Sequence, residues 1–164
     1  MKSKAELRRE LIAWRTGTLS GELTQKSQAI CDRFIKDVEW SKIATVHVYK
    51  AVSGWHEVDT APIIEYLGSA WPDIKISKPS KTLSQPLPKQ KFDVILAPTL
   101  GFDKNLNRLG RGGGWYDKFL AAQPGALKVG LCFSKNFINI GIPVEPHDIQ
   151  LDKIVTEVGI MDRP

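Results

Sequence analysis

The chain is short of the features that assign a protein quickly. It has only two cysteines, Cys31 and Cys132, far apart and each inside an apolar stretch. That excludes a disulfide scaffold and predicts two buried, reduced thiols. No apolar run approaches the roughly 20 residues a membrane-spanning helix needs, and the first residues are charged and helical rather than a signal peptide. The expected compartment is therefore the cytoplasm, with no membrane partner. Lysine and arginine total 23 against 18 acidic residues, a net charge of +5, which favours an acidic partner. There is no long Lys/Arg block and no nucleic-acid-binding signature, so a phosphorylated cofactor or a polycarboxylate is preferred to nucleic acid. His47, His56 and His147 lack metal-ligand spacing and read as structural or surface groups. No Ser-His-Asp or Cys-His set is evident, and no internal repeat.

What is present suits one compact domain, residues 1–164, with 42% hydrophobic and 25% charged residues. A chain of this size buries about 68–70% of its unfolded surface, enough to fold without a staple. Ser3 followed by Glu6 is a capping box, and Leu7, Leu11, Ile12 and Trp14 recur at helical spacing, predicting a helix over residues 4–16 closed by Gly17. Ser20 is the expected cap of a second helix with a stripe of Leu23, Ile30, Phe34 and Ile35. Residues 43–49 read as the first strand, and Thr60 with Pro62 opens a short helix that Gly68 closes. A second strand is expected at 74–77, a proline-rich loop over 77–91, and a doubly covered strand at 92–97. A helix at 115–122 and strands at 127–133 and 154–158 complete the pattern. Strands and helices alternate, so the expected fold is α/β: three layers, a mostly parallel sheet with helices on both faces, Rossmann-like.

The segment RLGRGGGWYDKF, starting at Arg108, follows a buried strand and leads into a helix. Glycines at 110, 112, 113 and 114 remove the Cβ from every residue of 110–114 but Arg111, so backbone N–H groups can gather on one anion. Arg108 and Arg111 flank the turn and could bond phosphate oxygens, and Asp117 lies where a carboxylate could hold Mg²⁺ against them. The pattern is neither the dinucleotide fingerprint nor the Walker motif, since no Lys-Ser/Thr pair follows the last glycine. A flexible glycine loop with solvated arginines would need neither the Trp115-Tyr116 pair nor the carboxylate.

With the residues before it, the stretch FDKNLNRLGRGGGWYDKFL (102–120) closely resembles the signature of the 5-formyltetrahydrofolate cyclo-ligase family, also called methenyltetrahydrofolate synthetases. KAELRREL at 4–11, EVDT at 57–60 and EPHDIQLDKIVTE at 145–157 are similar to the family's amino-terminal helix, substrate-side segment and carboxy-terminal end. The resemblance implies ATP- and Mg²⁺-dependent conversion of 5-formyltetrahydrofolate to 5,10-methenyltetrahydrofolate by a monomer. It implies ATP contacts from Lys4, Arg8, Arg108, Leu109, Gly110, Arg111, Gly112, Gly113, Gly114, Trp115 and Tyr116, with Arg108, Arg111 and Tyr116 in the chemistry. Val52, Glu57, Trp115 and Tyr116 would contact the folate, and Asp117 and Asp148 would bind Mg²⁺. Asp103 reads as a turn former.

Three departures from the family pattern stand out. Leu106 replaces a glycine; if that position holds a positive φ, leucine costs about 1 kcal/mol or more. Trp115 replaces the more usual tyrosine, and the 77–91 stretch is shorter than its counterpart. The shortened middle keeps two other readings open: an ATP-dependent enzyme with a different acceptor, and a non-catalytic nucleotide- or RNA-binding relative.

Overall fold

The structure, a computed structural model, describes residues 2–79 and 86–164. Among the described residues there are eight strands: β1 (Thr45–His47), β2 (Lys75–Ser77), β3 (Val94–Pro98), β4 (Gly101–Phe102), β5 (Arg108–Leu109), β6 (Leu127–Leu131), β7 (Lys153–Val155) and β8 (Ile160–Asp162). Six form one sheet in the order β2-β1-β3-β6-β7-β8, parallel throughout except for the antiparallel edge strand β8. β4 and β5 form a separate antiparallel hairpin. Every residue of β3 is buried, as expected of a strand covered on both faces. The chain leaves β1 toward β2 on one side and returns to β3 on the other. Such a reversal opens a crevice beyond the carboxyl ends of the two strands, where ligands of open α/β sheets bind.

Four α-helices among the described residues accompany the sheet: α1 (Lys4–Gly17), α2 (Ser20–Asp37), α3 (Ala61–Ala70) and α4 (Trp115–Ala121). The capping box at α1 is formed as read: Ser3 Oγ accepts from the Glu6 amide and the Glu6 carboxylate accepts from the Ser3 amide. Ser20 does not cap α2. Leu19 occupies the cap position, and Ser20 is the first helical residue, its carbonyl accepting from the Thr24 hydroxyl. Gly68 does not close α3, which runs on to Ala70; a single glycine costs a helix only about 1 kcal/mol, less than the burial of Ile63 and Leu67 on its inner face contributes. Residues 78–79 and 86–91 form no helix or strand, and residues 80–85 lie outside the described residues. The strands at 43–49, 92–97, 127–133 and 154–158 are present with shifted ends. β4, β5 and β8 were not foreseen, being two or three residues long with no periodicity to read.

Both thiols are buried and unpaired with each other; burial pushes Cys31 up to about 12 and Cys132 up to about 11, so neither is a nucleophile at neutral pH. Leu106 has φ +59°, in the left-handed region. Its side chain is nonetheless 2% exposed within the core. Burying a leucine contributes about 1.5–3 kcal/mol, against about 1–2 kcal/mol for the backbone, which is why leucine is tolerated where the family has glycine.

Among the described residues one charged side chain lies at 0% exposure, that of Arg15 near the end of α1. It has no carboxylate partner among the described residues. Its Nη2 donates to the carbonyls of Thr99 and Leu100 at 2.9 Å, its Nε to Asn136 Oδ1 at 2.8 Å, and its Nη1, more weakly, to the carbonyls of Trp55 and His56. The Phe133 ring lies 5.3 Å from the guanidinium carbon. His56 has φ +45°, so the turn that Arg15 holds is itself strained.

Two outcomes follow for stability. Arg15→Met should lower the unfolding free energy in urea by at least about 3 kcal/mol, because several buried acceptors lose their donors together. His47, also at 0% exposure, has its pKa lowered by burial to about 4. The unfolded histidine takes up its proton near 6.5 and the folded one resists, so stability present above that pH is lost as pH falls toward 4, by roughly 3 kcal/mol. Denaturation midpoints across that window should fall less steeply in His47→Phe.

Candidate active site

The hairpin of β4 and β5 is closed by the buried carboxylate of Asp103. Its Oδ1 accepts from the amides of Asn105 and Asn107, and its Oδ2 from Asn107 Nδ2 and the Ile142 amide. The turn role read from the sequence is what Asp103 performs. β5 leads directly into the glycine turn. Gly112 has φ +102° and Gly114 φ +67°, conformations that a side chain rarely adopts. The amides of Gly112, Gly113 and Gly114 donate to nothing among the described residues.

That turn forms one wall of a cleft of about 630 Å³ that opens beside Pro98, at the carboxyl end of β3. The start of α1 forms a second wall, with Lys4 and Arg8, and the 143–148 segment a third, with Glu145, His147 and Asp148. Lys4, Arg8, Arg108, Gly110, Arg111, Gly112, Gly113, Gly114, Trp115, Tyr116, Asp117 and Asp148 all line this one cleft. Leu109 does not: it is fully buried and packs with Leu7, Ile138 and Ile142. Val52 and Glu57 line a separate cavity of about 430 Å³, with Ala51, His56 and Pro62 among its other residues.

The two cavities meet at an ion pair. Arg111 donates to the Glu57 carboxylate through both Nε and Nη2, and the Val52 amide donates to the same carboxylate at 2.9 Å. Burial works against the Arg111 charge, but Glu57 outweighs it and the net shift is upward. Arg108 is more deeply set. Its Nη1 donates to the Pro98 carbonyl at 3.0 Å and its Nη2 to Asp117 Oδ1 at 2.9 Å, with the guanidinium carbon 5.9 Å from the centre of the Tyr116 ring. Its Nε is buried without a partner. Arg8 donates from Nε to the Gly110 carbonyl at 2.8 Å and clamps the glycine turn to α1. Tyr116 is buried, which raises its pKa and keeps the hydroxyl protonated; its hydroxyl lies 3.3 Å from His47 Nε2.

Asp148 and Glu145 both accept from the Lys4 ammonium at 2.6 Å. Burial opposes the Lys4 charge and the two carboxylates more than restore it, raising its pKa; Asp148 is pushed up by burial but held low overall by Lys4 and the Glu145 amide. Glu145, His147 and Asp148 each present a ligand atom within 4.8 Å of one another. Asp117 lies on the same cleft but outside that group. Glu145 and His147 were not singled out as ligands from the sequence; the only signal was their place in the Glu-Pro-His-Asp turn around Asp148. The donor set suits a hard cation on a polyphosphate: carboxylate oxygens on one side, guanidinium, ammonium and free amides on the other.

Among the described residues no helix is long and apolar enough to cross a membrane. The sequence model of the 5-formyltetrahydrofolate cyclo-ligase family matches residues 67–157. A mitochondrial 5-formyltetrahydrofolate cyclo-ligase of Arabidopsis thaliana is 39% identical over 82 residues, covering 44% of this chain and 30% of that protein. The matched stretch is thus under a third of the plant protein's length. The Caenorhabditis elegans protein named "Probable 5-formyltetrahydrofolate cyclo-ligase" is 27% identical over 195 residues, 94% of this chain and 92% of its own. Among solved structures, a 5,10-methenyltetrahydrofolate synthetase from Mycoplasma pneumoniae superposes with TM-score 0.81 at 25% identity, covering 95% of this chain and 99% of that one. The Aquifex aeolicus synthetase, with TM-score 0.78 at 23% identity over 97% of this chain and 92% of its own, shares the fold. Since the family match takes in more than half of the chain, including the whole glycine turn and the 145–148 segment, this chain belongs to the 5-formyltetrahydrofolate cyclo-ligase family.

Proposed function

We propose that this chain, as a cytoplasmic single-domain monomer, uses ATP to convert 5-formyltetrahydrofolate to 5,10-methenyltetrahydrofolate. The observation that carries the reading is the cleft itself, in which free glycine amides, Lys4, Arg8 and two arginines face the carboxylates of Asp117 and Asp148. The formyl oxygen on N5 attacks the γ-phosphorus and ADP leaves; N10 then attacks the activated carbon, gives up its proton to solvent, and inorganic phosphate leaves with that oxygen. No protein nucleophile is required. Phosphoryl transfer asks for positioning and neutralised charge, and the residues present are of that kind.

In this reading the triphosphate lies against the 110–114 amides, with Lys4 and Arg8 on its outer side. Arg108 acts chiefly by fixing Asp117, since both of its terminal nitrogens are already bonded within the protein. Asp117 and Asp148, the latter with Glu145 beside it, would hold Mg²⁺, which supplies charge neutralisation to the phosphates when bound. The folate occupies the cavity lined by Val52 and Glu57, and Arg111 stands between the two substrates, where it can serve the transferred group. The shortened 77–91 stretch favours a second reading in which the same ATP site serves another acceptor.

Mixing the protein with Mg-ATP and 5-formyltetrahydrofolate should generate the near-ultraviolet absorbance of the conjugated methenyl product. Asp117→Asn keeps an acceptor for Arg108 but removes the charge, and Asp117→Ala removes both. Turnover should drop by about 100-fold or more in each, with the circular dichroism of Asp117→Asn unchanged. No product from the wild type, with ATP consumed only when another acceptor is supplied, would select the second reading. Undiminished turnover in both variants would remove Asp117 from the site.

A further inference from the structure

His47 is the last residue of β1 and sits at the strand reversal where the cleft opens. It is enclosed by the rings of Phe92, Trp115, Tyr116 and Phe119, with centroids 4.8 to 6.4 Å away. A phenylalanine would suit such surroundings as well, so the imidazole contributes one thing more, the contact of Nε2 with the Tyr116 hydroxyl at 3.3 Å. The other nitrogen, Nδ1, is occluded and has no hydrogen-bond partner among the described residues.

A neutral imidazole and a phenol carry one proton each, and one hydrogen bond joins them, so one proton is left over. If Tyr116 donated to Nε2, the imidazole proton would sit on Nδ1, a fully buried N–H with no acceptor, which folded proteins rarely contain. If Nε2 carries the proton and donates, Nδ1 is left with only an unpaired lone pair, a lesser penalty. The hydroxyl proton of Tyr116 is then directed away from His47, and Tyr116 forms part of the cleft wall.

We propose that His47 is a positioning residue: its Nε2–H donates to the Tyr116 hydroxyl and fixes that hydroxyl as a donor toward an oxygen of the bound substrate. The inference rests on the cleft being the place of the cyclisation described above, but its first test does not. Two-bond ¹H–¹⁵N correlation spectra of the labelled, ligand-free protein near pH 8 distinguish the imidazole tautomers, and only three histidines need assignment. His47 should carry its proton on Nε2; a proton on Nδ1 overturns the proposal. In turnover, His47→Phe should lose about tenfold in kcat, the worth of one hydrogen bond, with the KM for ATP within about twofold. His47→Gln, whose amide N–H can reach the place of Nε2–H, should recover most of it. A phenylalanine variant with unchanged kcat also overturns the role. Should the wild type form no methenyl product, the cyclisation reading fails, while the spectra still decide the tautomer.

Discussion

The rest of the structure depends on a guanidinium that has no counter-charge. Arg15 gathers carbonyls from the 55–56 turn and the 99–100 segment, together with the side chain of Asn136, into one hydrogen-bonded knot. An isolated cation in the interior is tolerated only when its donors are satisfied, and here neutral oxygens do this. The 55–56 turn is what delivers Glu57 to Arg111, and the 99–100 segment follows Pro98, where the cleft begins. The same side chain thus ties together the two backbone segments from which Glu57 and Pro98 extend.

A second anchor works from the other side. Asp103 binds both its own hairpin and the Ile142 amide, joining the strand that enters the glycine turn to the segment that carries Glu145 and Asp148. The tight turn it enforces puts Leu106 into a left-handed conformation, where its side chain drops into the core and its carbonyl accepts from the Leu151 amide. Backbone strain and apolar burial oppose each other there, and burial wins by a small margin.

The parts of the molecule written as continuous patterns were legible in the sequence: the α1 capping box, the doubly covered strand β3, and a run of glycines that forms a tight turn with positive φ at Gly112 and Gly114. Leu106 could be marked as strained before any coordinates because the residue type was wrong for the position. What escaped notice depends on contacts between distant residues. Nothing near Arg15 marks it as different from the other arginines of α1. Lys4 lies 144 positions from Asp148, and the rings that set the surroundings of His47 come from two distant stretches, Phe92 and residues 115–119 of α4. The assignment of Ser20 and Gly68 to helix ends failed because local preference there was weaker than the packing of the faces beyond them.

Lys4, Arg8 and Arg15 project from one stripe of α1, and each is held by oxygen atoms of the body of the protein. The helix is therefore seated by bonds of graded sensitivity along its length. At its far end the contact is sealed from solvent and indifferent to salt, whereas the bridge from Lys4 to Glu145 is open to counterions, Glu145 being 55% exposed. Rising ionic strength should therefore loosen the amino-terminal end of the helix, which walls the cleft, before it affects the end held by Arg15.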